Sequence, residues 1–202
     1  VYKRQDVAVI TNIGISHIEN LGTQENILKA KLEILDGAAY DAPLILCRDD
    51  KLLAGVQLHS DRKVYYYSVS KKDCDVYASG VKTVDNSITF TINYEGGKIA
   101  AQINCLGEHN VKNALAAFCV GLALDIPPED IVKGIAQFKP EGLRQNVTVI
   151  DGVTYIVDCY NAAPDSMKAS LSVLSQAQAE GKRICVLGDM LELGKNSKTY
   201  HR

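Results

Sequence analysis

Four places in this 202-residue chain put polar side chains where an apolar run ends and a helical pattern begins. In open α/β sheets ligands bind at such places, because the loops there combine exposed polar groups with helix N-termini. The first place is TNIGISHIENLGTQENILKAKLEIL (11–35), where His17 and Glu19 follow an apolar run and Lys31 lies among apolar helix positions. One interpretation is a metal and phosphate site. A loop histidine and a lysine that extends to solvent is the simpler one.

The second and third places carry amide and guanidinium groups. In GEHNVKNALAA (107–117) a glycine-containing loop meets a helix whose first turn carries Asn110 and Asn113 on one face. Their amides can donate and accept together, which suits an adenine edge, and helix capping explains one asparagine equally well. Arg144 lies in the loop 139–146, where its planar fork suits a phosphate if two domains close on each other. A surface arginine in a linker is the alternative.

The fourth place is VDCYNAAPDSM (157–167), where an apolar strand ends in Asp158, followed by Tyr160 and Asn161 and then by a helix that begins with proline. Polar residues packed this densely at a strand end favour a site over a turn. The run VLGDMLELG repeats the arrangement with Asp189.

Phosphate chemistry usually requires a glycine-rich loop of the form G-x-x-x-x-G-K-[ST]. The nearest stretch, GDMLELGKN, has five residues between Gly188 and Gly194 instead of four, and Asn196 follows its lysine. We treat it as a chance match. The chain therefore carries pieces of a nucleotide site without the main phosphate cradle.

These places require strands that alternate with helices, with one antiparallel insert of period two. A loop near residue 142 divides the chain into two predicted domains, 1–142 and 143–202. The predicted strands are 6–13, 43–47, 63–69, a hairpin within 76–105 that turns at 95–97, a strand pair over 147–160, and 183–190. The predicted helices are 23–35, with Thr23 as N-cap, 111–122, 128–138 and 164–174.

Composition restricts the class of protein. Lys and Arg total 22 against 24 Asp and Glu, so the net charge of −2 predicts no general attraction to nucleic acid or to an anionic membrane. No apolar run approaches the ~20 residues that a membrane span needs. Six cysteines without a C-x-x-C pair predict reduced core thiols of a cytosolic protein. Because the sequence opens on VYKRQ without an initiator Met, we expect a segment of a longer protein.

Four motifs in this order and spacing resemble the ATP-dependent Mur ligases of peptidoglycan synthesis: TNIGISHIENLGTQENILKAKLEI, GEHNVKNALAA, DCYNAAPDSM and VLGDMLELG. The resemblance runs through nearly all of the chain from Asp6. It implies an α/β fold in which 1–142 is the later part of a P-loop-type central ATPase domain, with a mostly parallel sheet plus antiparallel hairpins. Residues 143–202 would be the start of a Rossmann-like C-terminal domain. The P-loop itself would precede residue 1.

The family pattern implies a metal and phosphate role for three residues. His17 matches a histidine that helps to bind magnesium. Lys31 matches a lysine that becomes a carbamate with carbon dioxide, and a carbamate is an anion with hard oxygens suited to magnesium, whereas a free ammonium repels it. Arg144 matches an interdomain arginine near the phosphates. These three are the implied catalytic residues.

Nucleotide and substrate contacts are implied in the same way. Asn110 and Asn113 match adenine-contacting asparagines, and Asp158 matches an aspartate that contacts the nucleotide. Three further residues face the same cleft and would help to place an incoming dipeptide: Tyr160, Asn161 and Asp189. The chain departs from the family at Ala163, where the usual residue is a second Asn.

The resemblance implies an ATP- and Mg²⁺-dependent amide ligase of the bacterial cytoplasm. It would add D-alanyl-D-alanine to UDP-N-acetylmuramoyl-tripeptide through an acyl phosphate. One alternative is a sibling ligase of the same fold that adds a diamino acid or extends folylpolyglutamate. Another is a non-catalytic nucleotide-binding module that kept the fold and lost the P-loop.

Overall fold

The structure, a computed structural model, describes residues 4–16, 18–58, 61–84, 86–140 and 142–202. In these residues the chain forms a six-stranded sheet, a separate two-stranded sheet and helices. The six strands lie side by side in chain order. The strands are β1 (Ala8–Ile10), β2 (Leu44–Cys47), β3 (Val64–Ser68), β4 (Val76–Val84), β5 (Ser87–Tyr94), β6 (Gly97–Ile103), β7 (Asn146–Ile150) and β8 (Val153–Val157).

The first four strands are parallel and are built from short apolar runs. All four residues of β2 are buried, and Leu44 lies opposite Ala8 of β1 and Val64 of β3. Strands that are buried on both faces of a parallel sheet consist of such continuous apolar runs. The strands predicted at 43–47 and 63–69 are confirmed.

Three of the four predicted helices begin where the sequence places their caps, whereas the helix predicted at 111–122 begins earlier, at Glu108. Asn26 donates its backbone N–H to Thr23 Oγ1 at 3.2 Å, and two other helices open on Pro128 and Pro164. None of the helices in the described part of the chain is long and apolar enough to cross a membrane. The helices are α1 (Ile18–Leu21), α2 (Gln24–Leu32), α3 (Ile34–Gly37), α4 (Lys51–Ala54), α5 (Glu108–Ala123), α6 (Pro128–Gln137), α7 (Pro164–Gln176) and α8 (Ser197–Tyr200), with a 3₁₀ turn at Gly194–Asn196.

The insert from β4 to β6 is an antiparallel meander, as its period of two predicts. Ile88, Phe90 and Ile92 of β5 are buried, while the residues between them are more exposed. At the end of β5 the ring of Tyr94 packs against Phe118 of α5, with 5.3 Å between the centroids. The insert therefore extends the sheet and adds its apolar face to the core that α5 covers.

After residue 142 the chain folds into the β7–β8 hairpin and α7. Asp151 and Gly152 form the turn with φ of 50° and 76°. Two positive φ values in a two-residue turn match the right-handed twist of the flanking strands. Val173 of α7 is buried, and a Cβ added at Gly107 would lie 3.1 Å from its Cγ2. Helix α7 thus packs against the start of α5.

Two strand predictions fail in an informative way. The strand predicted at 6–13 is only Ala8–Ile10, because beyond it the chain leaves the sheet and the N–H of Ile13 bonds to a side chain. The strand predicted at 183–190 is wrong, since no described strand pairs with this segment. Its Val186 is 94% exposed. An apolar run becomes a buried strand only where a neighbouring strand accepts and donates its hydrogen bonds.

The cysteines follow the prediction in part. All six are free, and the prediction of core thiols holds for Cys47, Cys105 and Cys119, which are buried. It is wrong for Cys159 and Cys185, which are exposed because they lie in the C-terminal part, where little of the chain is covered. Burial raises the pKa of Cys105 to about 11 and so keeps this thiol protonated at neutral pH.

Candidate active site

The loop that follows β1 is fixed by three side chains, two from α2 and one from the N-cap of α4. Ile13 donates its N–H to Asp50 Oδ2 at 2.7 Å, and Gln24 of α2 donates to the Ile13 carbonyl at 2.8 Å. Lys31 Nζ reaches back along α2 and donates to the carbonyl of Asn12 at 2.8 Å. In the first candidate place, side chains therefore bind both a backbone N–H and backbone carbonyls of the loop, and the ammonium group of Lys31 lies at the edge of this loop.

Lys31 has an amine suited to modification. Burial lowers its pKa below the ordinary 10.5, and the carboxylate of Asp50 opposes that shift. A lower pKa enlarges the neutral fraction of the amine, which is the form that reacts with carbon dioxide. Among the described residues, Lys31 could contribute to a magnesium site only as a carbamate, because the ammonium form would repel the ion. No group of three His, Cys, Asp or Glu side chains able to hold a metal occurs in the described part of the chain, and His17 lies outside that part.

Asp50 organises this edge of the sheet. Its Oδ1 accepts the N–H groups of Leu52 and Leu53 at 2.9 and 3.0 Å, which caps α4, while its Oδ2 accepts from Ile13. A single carboxylate thus joins the end of β1 to the residues after β2.

We expect Asp50→Ala to lower the free energy of unfolding by about 2 kcal/mol, because one cap and the partner of a buried N–H are lost together. Urea denaturation of the purified chain measures the change. Asp73→Ala is the matched control, since the contact of Asp73 with the described residues is an exposed ion pair of 3.5 Å with Arg48. Equal losses in the two variants would contradict the role given to Asp50.

The amides predicted to contact adenine lie together at the start of α5. Asn110 Nδ2 donates to the carbonyl of Leu106 at 2.8 Å and to Gln145 Oε1 at 2.7 Å. Asn113 Nδ2 donates to Asn110 Oδ1 at 3.2 Å. Asn110 is half-buried and Asn113 is exposed, so the outer amide faces solvent while the inner one is enclosed.

His109 borders this cluster. Its Nε2 lies 3.0 Å from Gln145 Nε2, and burial lowers the pKa of the imidazole below its ordinary 6.5. The charge of Asp158 and the hydrogen bond with Gln145 oppose the shift, and the charge of Lys112 adds to it. His109 is therefore neutral at physiological pH and can accept from the Gln145 amide.

Because the unfolded chain takes up a proton on His109 at a higher pH than the folded chain, this histidine destabilises the fold as the pH falls below about 6.5. We expect the urea midpoint to drop between pH 7.5 and pH 5.5, and to drop less in His109→Gln. The same drop in both proteins would show that His109 does not carry the effect.

Arg144 lies over Tyr160 at the start of the C-terminal part. The guanidinium carbon is 4.1 Å from the ring centroid, and Cys159 donates its N–H to the Leu143 carbonyl at 2.9 Å. Stacking on an aromatic face orients the planar guanidinium while its N–H groups stay available to other acceptors. Asp158 is close by and accepts from Ser170 of α7 at 2.6 Å.

The remaining candidates make local contacts or none. Asn161 Oδ1 accepts from the backbone N–H of Ala162 at 3.0 Å, and Asp189 has no hydrogen bond or ion pair with any described residue. At the departure from the family, Ala163 is the N-cap of α7, and Ser166 Oγ accepts its N–H at 3.1 Å. Ser166 thus satisfies the backbone N–H of the N-cap residue. Ala163 has no side-chain oxygen that could accept an N–H from the first turn of α7.

Contacts between distant segments bring these places to one edge. Glu19 of α1 donates its N–H to the Glu192 carbonyl at 3.3 Å. A Cβ added at Gly14 would lie 3.0 Å from Asp165 Oδ2, so the first loop abuts α7. Together with Asn110–Gln145, these contacts join the C-terminal ends of the parallel strands to the part after residue 142.

Family models match almost the whole chain. The model described as Mur ligase middle domain matches residues 2–121. The chain belongs to the Mur ligase family. A second model of this family, described as Mur ligase, glutamate ligase domain, matches residues 143–202.

Relatives of this Mur ligase chain include proteins of known name. The UDP-N-acetylmuramoyl-tripeptide--D-alanyl-D-alanine ligase of Bacillus subtilis (strain 168) is 40% identical over 98% of this chain and 42% of its own length. A crystal structure of MurF from Acinetobacter baumannii shares 32% identity at a TM-score of 0.90, covering 98% of this chain and 43% of that one. A MurF ligase from Thermotoga maritima in complex with ADP shares 25% identity at a TM-score of 0.82, covering 98% and 45%. The chain thus spans less than half the length of these relatives.

Three residues of this Mur ligase chain form hydrogen bonds within the candidate site but were not predicted from the sequence: Asp50, His109 and Gln145. Asp50 carries a weak signal, since it directly precedes the apolar turn KLLA. His109 stands beside Asn110 in the GEHN motif. Gln145 gives no signal, because its position depends on a backbone φ of 45° and on a partner 35 residues away.

Proposed function

We propose that this chain is part of an ATP-dependent ligase that joins D-alanyl-D-alanine to UDP-N-acetylmuramoyl-tripeptide in peptidoglycan biosynthesis. The observation that carries the proposal is the 40% identity across 98% of the chain to a Bacillus subtilis ligase whose name states these two substrates. The ADP in the Thermotoga maritima structure supports an adenine nucleotide as the energy source. The meeting of candidate residues from both parts of the chain at one edge is what such a reaction needs.

In the proposed reaction the terminal carboxylate of the tripeptide attacks the γ-phosphorus of ATP, and ADP leaves. The amine nitrogen of the dipeptide then attacks the acyl carbon, phosphate leaves, and the nitrogen loses a proton. Carboxylate and triphosphate repel each other, so catalysis consists mainly of positioning and charge neutralisation. Arg144 is proposed to offset phosphate charge, Asn110 and Asn113 to hold adenine, and Asp158 to contact the nucleotide.

Lys31 and His17 are proposed to hold Mg²⁺, with Lys31 as a carbamate. The ion would reduce the negative charge of the phosphates. Lys31 itself provides the anionic oxygens, and its lowered pKa supports carbamate formation. The hydrogen bond from Gln24 to the Ile13 carbonyl helps to hold the loop after β1, which Lys31 also contacts at the Asn12 carbonyl.

The acceptor side of the site is proposed to consist of Tyr160, Asn161 and Asp189. All three are exposed and belong to loops that follow apolar runs of the C-terminal part. Exposed polar groups of this kind can bind the ammonium and carboxylate of a dipeptide. Tyr160 would have two roles, since it would contact the dipeptide and its ring also stacks with the guanidinium of Arg144.

The organisation of the chain is a further element of the proposal. Residues 1–142 would be the later part of a central ATP-binding domain, and 143–202 the start of a C-terminal domain. The two family matches, to 2–121 and 143–202, support this division. A location in the bacterial cytoplasm belongs to the same proposal.

The test is a coupled phosphate-release assay on the complete ligase that contains this chain. With ATP, Mg²⁺ and UDP-N-acetylmuramoyl-tripeptide present, we expect turnover with D-alanyl-D-alanine and none with single amino acids. Turnover with a single amino acid would assign the chain to a sibling ligase. No turnover with any acceptor would overturn the enzymatic proposal in favour of a binding module.

A further inference from the structure

We infer that Gln145 helps to set the preference of the nucleotide site for adenine over guanine, by fixing the orientation of the Asn110 and Asn113 amides. The inference rests on the proposed function, in which these two asparagines face the base. Gln145 itself lies in the C-terminal part of the chain, across from both of them. The base preference would thus depend on a residue from the opposite side of the site.

The orientation of Asn110 is determined by two acceptors. A backbone carbonyl can only accept, so the group that faces the Leu106 oxygen at 2.8 Å must be the Asn110 NH₂. That NH₂ has a second hydrogen, which points to Gln145 Oε1 at 2.7 Å. With both hydrogens bound, the Asn110 amide cannot rotate without losing two hydrogen bonds.

The amide nitrogen of Gln145, on the side away from Asn110, also has a hydrogen-bond partner. Its Nε2 lies 3.0 Å from His109 Nε2, and neutral His109 can accept there. The backbone of Gln145 has a φ of 45°, a left-handed conformation that is unfavourable for a residue with a side chain. Strained conformations of this kind persist where surrounding contacts hold them, as the two amide contacts do here.

The orientation of the Asn113 amide depends on that of Asn110. Because Asn110 Oδ1 can only accept, Asn113 directs its NH₂ inward at 3.2 Å. Its Oδ1 and one remaining N–H are then left for a ligand. No hydrogen bond to Asn113 Oδ1 occurs among the described residues.

An acceptor beside a donor is complementary to one base. Adenine presents its N6 amine next to a ring nitrogen, so it can donate to Asn113 Oδ1 and accept from the amide N–H. Guanine presents the O6 and N7 acceptors, and its O6 would face the Asn113 oxygen. Rotation of Asn113 to suit guanine would bring its oxygen against Asn110 Oδ1. The fixed amides therefore favour adenine.

The experiment measures ADP and GDP binding to the complete ligase by titration calorimetry, which requires no turnover. We expect Gln145→Leu to weaken ADP binding by about 10-fold, since a good bidentate amide contact discriminates by about that factor or more. GDP binding should change little, so the ratio of the two dissociation constants falls. Gln137→Leu, an exposed glutamine at the end of α6, is the control that should leave the ratio unchanged.

Gln145→Glu separates orientation from packing. It keeps an oxygen toward Asn110, and its second oxygen can accept from His109 in the tautomer that carries its proton on Nε2, so we expect it to retain the wild-type ratio. Equal weakening of both nucleotides in Gln145→Leu would overturn the inference, and so would a glutamate variant that behaves like the leucine variant. Because base preference is read from binding, a failure of the dipeptide assay would overturn the proposed reaction and leave this result intact.

Discussion

Replacing Lys31 with alanine is expected to lower kcat of the complete ligase by about 1,000-fold, the upper range for loss of one preorganised electrostatic group. The reason is that the variant has no nitrogen on which a carbamate can form. Phosphate release with saturating ATP, tripeptide and dipeptide measures the effect. Lys29→Ala is the matched control, because Lys29 is an exposed lysine on the same helix.

Carbon dioxide provides a second readout for Lys31. We expect the wild-type ligase to lose activity in buffer stripped of carbon dioxide and to regain it when bicarbonate is added. Bicarbonate should not restore Lys31→Ala. A fully active alanine variant, or a wild type indifferent to carbon dioxide, would show that Lys31 does not act as a carbamate.

Arg144→Ala is expected to lower kcat by about 100-fold, since the guanidinium proposed to offset phosphate charge would be lost. Arg144→Lys should recover only part of the activity, because lysine keeps the charge but has no planar fork and stacks poorly on Tyr160. Steady-state kinetics with ATP as the varied substrate measures kcat and KM separately.

Arg183→Ala is the control for Arg144. Arg183 is an exposed arginine of the C-terminal part that donates to the Ala177 carbonyl at 3.0 Å, away from the candidate residues. Its variant should keep wild-type kinetics. If Arg144→Ala were as active as Arg183→Ala, the assignment of Arg144 to the phosphates would be wrong, and Arg144 would be a surface residue packed on Tyr160.

Local signals predict the fold where neighbours along the chain determine it. Thr23 caps α2 through a residue three positions on, and Pro128 opens α6 with a backbone already suited to a first turn. The strand at 43–47 is apolar throughout and pairs on both edges. In each case the chemistry of a short segment is sufficient.

Tertiary context explains what the sequence could not predict. The run 183–190 has the composition of a buried strand, but a strand requires a hydrogen-bonded neighbour, and composition does not reveal whether one is present. Asp50 bonds to Ile13 across 37 residues, and Gln145 bonds to Asn110 across 35. Sequence reasoning identified candidate groups at strand ends, and their partners became visible only in the folded chain.

The hydrogen bonds that join the two parts of the chain have a consequence for turnover. The described hydrogen bonds there are few, such as Asn110 to Gln145 and Glu19 to Glu192, and Val173 of α7 adds an apolar contact with Gly107. Replacing one of these hydrogen bonds by hydrogen bonds to water costs about 1 kcal/mol net. Separating two apolar surfaces costs about 25 cal/mol for each Å² that becomes exposed to water. With so few contacts the two parts can separate and rejoin while each stays folded, which is how the proposed ligase would release a spent nucleotide before the next one enters.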